Sequence, residues 1–317
     1  MKWLGLILAV SAAAASAQQY PLRPVRIIAA FAPGNAGDII PRAMLGNLGD
    51  ALKQNFIIDN RPGAGGNIAA ELAAKATPDG HTLFFTTAGI MAINPSLYSK
   101  LPFDPVRDFA PISLAATSPN VLVLNLTVPA GSVKELIALA KAKPGELNFG
   151  SSGSGTTVHL SGELFASMAG VKMVHVPYKG AGESLTDLMA GRLQLIFASL
   201  SSATQLIRSG KLKALAVTGP QRHPSMPNLP TVAESGLPGY EATVWFGLVA
   251  PAATPKAIIT RLNTVLVDIL ATKEVKDRLF NVGVDAVSST PEEFAGLIQE
   301  ELVKWARVVK ASGAKAD

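Results

Sequence analysis

The stretch of this chain best equipped for chemistry is Leu147-Asn148-Phe149-Gly150-Ser151-Ser152-Gly153-Ser154-Gly155-Thr156-Thr157. Small residues let backbone N–H groups approach a ligand, and the open N-terminus of a helix favours negative charge. Val158, Leu160, Leu164, Phe165 and Met168 recur close to the helical period, so a helix is predicted to start where the small residues end. The chemistry on offer is anion binding. Gly150, Gly155 and the following Thr156 nearly spell a phosphate loop, but that loop needs lysine where Thr156 stands, so nucleoside triphosphates are poorly served. The run Gly-Ser-Ser-Gly-Ser-Gly also lacks the Gly-x-Ser-x-Gly elbow of a serine hydrolase. Its plainer use is a flexible surface turn.

Two more loops have the same build. Phe31-Ala32-Pro33-Gly34-Asn35-Ala36-Gly37-Asp38 follows a strand-like run, Val25–Ala30, and precedes a helix expected to begin around Asp38 to Pro41, where proline fits a first turn. Asn60-Arg61-Pro62-Gly63-Ala64-Gly65-Gly66-Asn67 precedes a helical run from Ile68 to Ala76. Three strand–loop–helix units of this kind suggest backbone surfaces converging on one small acidic ligand. Gly63, Gly65 and Gly66 could equally serve a tight turn alone.

Other chemistries are poorly provided for. With no cysteine, thiolate catalysis, disulfides and cysteine metal sites are excluded. The four histidines, His81, His159, His175 and His223, share no metal-ligand spacing, so no metal and no cofactor is expected. No paired-carboxylate constellation stands out. A formal charge of +5 is spread along the chain without a dense basic run, which argues against a nucleic-acid face.

The elements that must position these loops alternate. Strands are predicted at Val25–Ala30, Phe56–Ile58, Thr82–Thr86, Val121–Leu126, Leu147–Phe149, Val174–Val176, Gln194–Phe197, Ala214–Val217 and Gly247–Ala250. Helices are predicted near Ile40–Leu52, Ile68–Lys75, Val133–Lys143, Thr157–Met168, Glu183–Met189, Ala203–Ser209, Lys256–Leu270 and from Pro291 to about Lys310. Alternation of this kind predicts α/β architecture with mostly parallel sheets covered by helices. The C-terminal helix, after the second sheet, is expected to return to the first. At the N-terminus, Lys2, the apolar stretch Trp3 to Val10 and Ala15-Ser16-Ala17 fit a cleavable secretory leader, residues 1–17, with cleavage after Ala17. The apolar stretch is short for a transmembrane span.

Several phrases, in order, resemble a known family. They are Phe31-Ala32-Pro33-Gly34 with Asp38, Asn60-Arg61-Pro62-Gly63-Ala64-Gly65-Gly66, Thr77-Pro78-Asp79-Gly80-His81-Thr82-Leu83 and Phe149-Gly150-Ser151-Ser152-Gly153. His175-Val176-Pro177-Tyr178-Lys179-Gly180, Leu215-Ala216-Val217-Thr218 and Ala250-Pro251 with Thr254-Pro255 complete the set. The chain resembles the Bug family of extracytoplasmic solute-binding proteins, related to the tricarboxylate-binding component of tripartite tricarboxylate transporters. The resemblance implies a two-lobed periplasmic-binding-protein fold, type II-like, with the ligand in the interlobe cleft. It assigns residues 18–119 and 242–317 to lobe 1 and 120–241 to lobe 2. It also implies a periplasmic monomer that binds a small organic anion, performs no chemistry, closes on its ligand and serves membrane subunits of a transporter or a sensor protein. A secreted serine-loop hydrolase is the competing enzyme reading.

Carried onto this sequence, the ligand-binding residues are Ala32, Gly34, Asn35, Asp38, Gly65 and Thr87 in the first lobe. In the second they are Ser151, Ser152, Gly153, Thr156, Thr157, His159, Tyr178 and Ala198. Some of these residues have a structural alternative. Asn35, where the family usually has glycine, could point its amide at ligand or adopt a left-handed turn. Asp38 could cap its helix, and His159 could be a packing histidine. His175, inside an apolar strand, reads as structural. Ala198-Ser199 stands where many relatives carry aspartate, which favours a ligand without a cationic amine.

Overall fold

The structure, a computed structural model, describes residues 20–31, 33, 36–178 and 180–316. The expected leader and the proposed ligand residues Ala32, Gly34 and Asn35 lie outside the described residues. In chain order the first elements are β1 (Val25–Ala29), α1 (Ala36–Leu52), β2 (Phe56–Asn60), α2 (Asn67–Ala74), β3 (Thr82–Thr87), α3 (Asn94–Leu97), β4 (Phe109–Leu124) and α4 (Val133–Ala142). There follow β5 (Asn148–Ser151), α5 (Thr157–Ala169), β6 (Val174–Pro177), α6 (Ala181–Met189), β7 (Leu195–Ser199), α7 (Leu200–Arg208) and β8 (Lys213–Val217). The chain ends with β9 (Thr243–Pro251), α8 (Lys256–Ala271), α9 (Lys273–Asn281), β10 (Asp285–Ala286) and α10 (Pro291–Ser312).

These elements form two compact units. One holds the described residues up to Met91, Lys100–Ala116 and Trp245–Glu301; the other holds Ala92–Ser99, Thr117–Val244 and the segment from Leu302. The division expected at 119/120 and 241/242 falls a few residues from these crossings. The end of α10 belongs to the second unit rather than the first, and beyond it the Ala316 N–H donates to the Leu97 carbonyl at 3.2 Å.

In the first unit β1 lies between β2 and β3, all parallel, with Val25 opposite Phe56 and Arg26 opposite Thr82. β9 adds to β3 antiparallel, with Thr86 opposite Gly247. In the second, β5 lies between β6 and β7, all parallel, and β4 runs antiparallel to both β7 and β8. Each sheet is therefore mostly parallel. Ile27, Ile28, Leu83 and Phe84 are buried, as expected of strands covered on both faces. The second unit's core gathers Phe165 and Phe197 at 5.5 Å between ring centroids, and Tyr240, whose hydroxyl donates to the Ser161 carbonyl at 2.9 Å.

Pro41 is the sixth residue of α1 and not in its first turn, because the helix starts earlier, at Ala36. There it withholds an N–H from the helical ladder.

Candidate functional site

Parallel strands bring their following loops to one edge of a sheet, and in open α/β sheets ligands bind at that edge. In the first unit this edge carries the loops after β1, β2 and β3, hence Asp38, Gly65 and Thr87. In the second it carries the loops after β5, β6 and β7, hence Ser151 to His159, Tyr178 and Ala198. The sequence-chosen residues thus form two groups, each gathered by one sheet.

Asp38, in the first turn of α1, is buried. Its Oδ1 accepts from Arg42 Nε at 2.8 Å and from Asn60 Nδ2 at 2.9 Å. Asn60 Nδ2 also reaches the Phe31 carbonyl at 2.8 Å, so the carboxylate anchors the start of the first loop to the end of β2. Gly65 takes a left-handed conformation, φ 61°, within the 3-10 turn Ala64–Gly66. Thr87, the last residue of β3, is buried.

The second unit's loop is built around helix α5. Thr156 is its N-cap: the hydroxyl accepts the His159 N–H at 3.3 Å and donates to the Gly153 carbonyl at 2.8 Å. That cap satisfies the third residue of the helix. Thr157 and Val158 carry the first two N–H groups, which no carbonyl of an α-helix's own can reach. They make the helix start a donor site for an anion. Ser152 and Thr157 are half-buried beside it.

Several of the proposed side chains turn inward instead. Ser151 is fully buried; its Oγ lies 2.7 Å from His175 Nε2 and 3.0 Å from the Gly153 carbonyl, and accepts the Gly153 N–H at 3.1 Å. His159 is 4% exposed, its Nδ1 accepts the Gly155 N–H at 3.0 Å, and its Nε2 lies 3.4 Å from Glu163 Oε1. This is the packing histidine of the two alternatives, because both ring nitrogens are engaged within the unit. The Tyr178 hydroxyl donates to Asp187 Oδ2 at 2.7 Å, and burial followed by that hydrogen bond pushes the phenol up to about 12. The Ala198 methyl packs in the hydrophobic core with Val121, Val123 and Leu200, so only its backbone can meet a ligand. His175, which no ligand role was given, joins the network through the register that sets it opposite Phe149.

Burial, and then the charge of His159, lower His175 to about 3 from 6.5. The folded state therefore favours the neutral ring. Its stabilisation is complete above pH 6.5 and falls as acid protonates the unfolded chain, down to about pH 3. After allowance for its partial exposure, stability should drop by about 1 kcal/mol between about pH 7 and about pH 5. Urea unfolding at both pH values checks this: His175→Phe should flatten the difference, and an unchanged difference in that variant would assign it elsewhere.

A cavity of about 490 Å³ lies in the first unit against the end of α1, lined by Leu45, Gly46, Gly49, Asp50, Lys53 and Phe56. It contains none of the loop residues above. The C-terminal end of a helix presents carbonyls rather than N–H donors, so the loops and not this cavity suit an anion.

The sequence model of the tripartite tricarboxylate transporter family receptor, TctC, matches residues 40–314. The chain belongs to this family. The protein BugT of Bordetella pertussis (strain Tohama I) is 36% identical to this TctC-family chain over 315 residues, covering 98% of this chain and 97% of BugT. Among solved structures, Rpa4515 of R. palustris with adipate is 38% identical with a TM-score of 0.80, covering 93% of this chain and 98% of its own. MatC (Rpa3494) from Rhodopseudomonas palustris with bound malate is 32% identical with a TM-score of 0.76, covering 92% of this chain and 100% of its own. The TctC-family chain thus has the two-lobed fold of periplasmic solute-binding proteins, and its relatives are receptors.

Proposed function

We propose that this protein is an extracytoplasmic receptor that captures a small carboxylate and closes on it. It then delivers the ligand to the membrane subunits of a tripartite transporter. The observation that carries the reading is the start of α5. Thr156 caps one N–H, and Thr157 and Val158 carry the helix's first two N–H groups, which have no acceptor within the helix. A carboxylate placed there meets backbone donors and the positive end of a 13-residue helix. Relatives holding adipate and malate support a dicarboxylate as the class to try first. The basic half of the reading is that no reaction follows. Ser151, the serine of this loop that meets a histidine, is fully buried and bonded to its own loop, which disfavours the hydrolase alternative. Gly65 and Thr87, with Ala32, Gly34 and Asn35, are assigned the first unit's share of ligand contacts. The residues 1–17 are assigned the role of a cleaved leader that directs the chain to the periplasm as a monomer.

The test is thermal unfolding of residues 18–317 against adipate, malate, citrate, amino acids and neutral controls. A ligand that binds only the native state raises the midpoint, by about 2.7 kcal/mol of added stability at about 100 times its dissociation constant. A rise with one or a few acids recovered intact is expected. Consumption of the acid would overturn the receptor reading in favour of an enzyme. A panel in which amino acids outbind plain dicarboxylates would remove the inference drawn from Ala198-Ser199.

A further inference from the structure

The donor loop of the second unit rests on two stacked imidazoles. The rings of His159 and His175 lie 3.7 Å apart between centroids, inclined by 18°. Phe149 sits beside both, at 6.2 Å and 5.0 Å. Each imidazole holds one part of the loop. His159 Nδ1 accepts the Gly155 N–H at 3.0 Å, and His175 Nε2 meets Ser151 Oγ at 2.7 Å. Ser151 Oγ in turn accepts the Gly153 N–H. A ring nitrogen that accepts a hydrogen bond carries no proton, so His159 is the Nε2–H tautomer, with that proton turned toward Glu163 Oε1 at 3.4 Å.

We propose that this histidine stack is a proton-sensitive latch on the anion loop: neutral, it fixes Gly155 in the capture geometry, and protonated at His159, it releases Gly155. The effect on ligand affinity rests on the carboxylate reading of the preceding subsection; the effect on the loop does not.

Two consequences of the geometry support the latch. A proton on His159 Nδ1 converts the acceptor of the Gly155 N–H into a second donor, and two donors facing each other repel. The stack also has no room for two positive charges, since like charges this close cannot both persist without cost. Burial keeps His175 neutral in keeping with this. The charged surroundings are sparse. On α5, Glu163 faces His159 and supplies a counter-ion on that side. β5 contributes Phe149 and Ser151, which do not titrate in this range. On α6, Asp187 is held by Tyr178 and Arg192, and Glu183 stands near Tyr178. Glu163 is thus the carboxylate beside the ring that holds Gly155.

Amide hydrogen exchange tests the latch on the folded protein without any ligand. The protection factor of Gly155, relative to that of Leu160 in the helix that follows, is expected to fall at least about tenfold from about pH 7.5 to about pH 4.5. His159→Asn places an amide oxygen near the Nδ1 position and takes up no proton, so its Gly155 protection should be the same at both pH values. His159→Phe keeps a stacked ring without an acceptor and should lose that protection at both. Equal Gly155 protection in His159→Phe and wild type at neutral pH, or pH-independent protection in wild type, would overturn the latch. The same proteins are then titrated with adipate and malate at both pH values, and each wild-type affinity is divided by that of His159→Asn to remove protonation of the acids themselves. A ratio that falls with Gly155 protection supports coupling to capture; a constant ratio overturns the coupling. If neither acid binds at neutral pH, the carboxylate reading fails while amide exchange still decides the latch.

Discussion

Alanine at Gly155 is expected to abolish carboxylate capture and to cost the fold about 3 kcal/mol. Gly155 has φ +76°, a left-handed conformation that a side chain adopts only at a cost of about 1–2 kcal/mol. A Cβ there would also stand 2.1 Å from Leu97 Cδ2. Leu97 is buried, so relief of that clash means moving either its side chain or the loop. The loop is the part held only by small contacts, chiefly the Gly155 N–H to His159 and the Ser151 and Thr156 hydroxyls to Gly153. Displacing it takes the first-turn donors of α5 out of place. Urea unfolding and the thermal-shift panel together measure both effects. Gly182→Ala is the matched control: it lies in α6 with open space around it and should be neutral or stabilise by up to about 1 kcal/mol. A Gly155→Ala protein that binds and unfolds like wild type would show that the loop tolerates a different path.

Much of the architecture is legible in the sequence for a simple reason. Strands covered on both faces read as apolar runs, and β1, β3 and β7 announce themselves in that way. The Gly-rich loops then mark the ends of β1, β2 and β5. Not every element follows this logic. The part of β4 before Val121, from Phe109, carries Pro111 and Pro119, residues that argue against a strand, yet it is extended and buried at Ile112, Ala115 and Ala116. Helix α9 is polar except for Val275, Leu279 and the exposed Phe280, too few apolar positions on one face to show a period, and its start depends on Thr272, whose hydroxyl accepts the Val275 N–H at 3.4 Å.

The sequence marks which loops gather at the edge of each sheet but not how their side chains turn. Small residues after a strand mark where backbone donors gather, and those positions do collect at sheet edges. Whether a polar side chain there faces a ligand or its own unit depends on partners far along the chain. His159 turns inward because β6 sets His175 opposite Phe149, beside it. Asp38 turns inward because Asn60, at the end of β2, reaches it. Tyr178 is tied down by Asp187 on the following helix. The available signal was pairwise: two histidines, each next to a strand or helix start of adjacent parallel units, with a serine and a glutamate at matching ends. Read as single residues, they looked like ligand contacts or core filler.

The first unit's largest expected effect comes from a glycine in a strand. Gly247 of β9 lies opposite Thr86 of β3. A Cβ on it would stand 2.2 Å from Phe294 Cζ, 2.6 Å from Phe294 Cε1 and 3.0 Å from the Ser113 carbonyl oxygen. The ring cannot easily withdraw, because Phe294 is fully buried and meets Trp245 edge-on at 5.3 Å, and the Trp245 Nε1–H reaches Glu301 at 3.3 Å. The carbonyl cannot either: its strand is stitched through Ser113 Oγ to the Ser289 carbonyl, and Ser289 N–H and Oγ bond back to Ser113 and Leu114. Overpacking of such a site costs about 3 kcal/mol, and the rigid neighbours place Gly247→Ala at or above that figure. Because β9 also pairs Phe246 with Thr87, the shift reaches the strand end assigned to ligand contact, and binding should weaken alongside stability. Phe294→Leu trims the ring that the new methyl strikes. The double variant should therefore be less damaged than the sum of the two singles by at least about 1 kcal/mol, read from urea midpoints. Strict additivity would mean that the clash is relieved through the backbone of β4 instead, and Phe294 would then have no part in why this position is glycine.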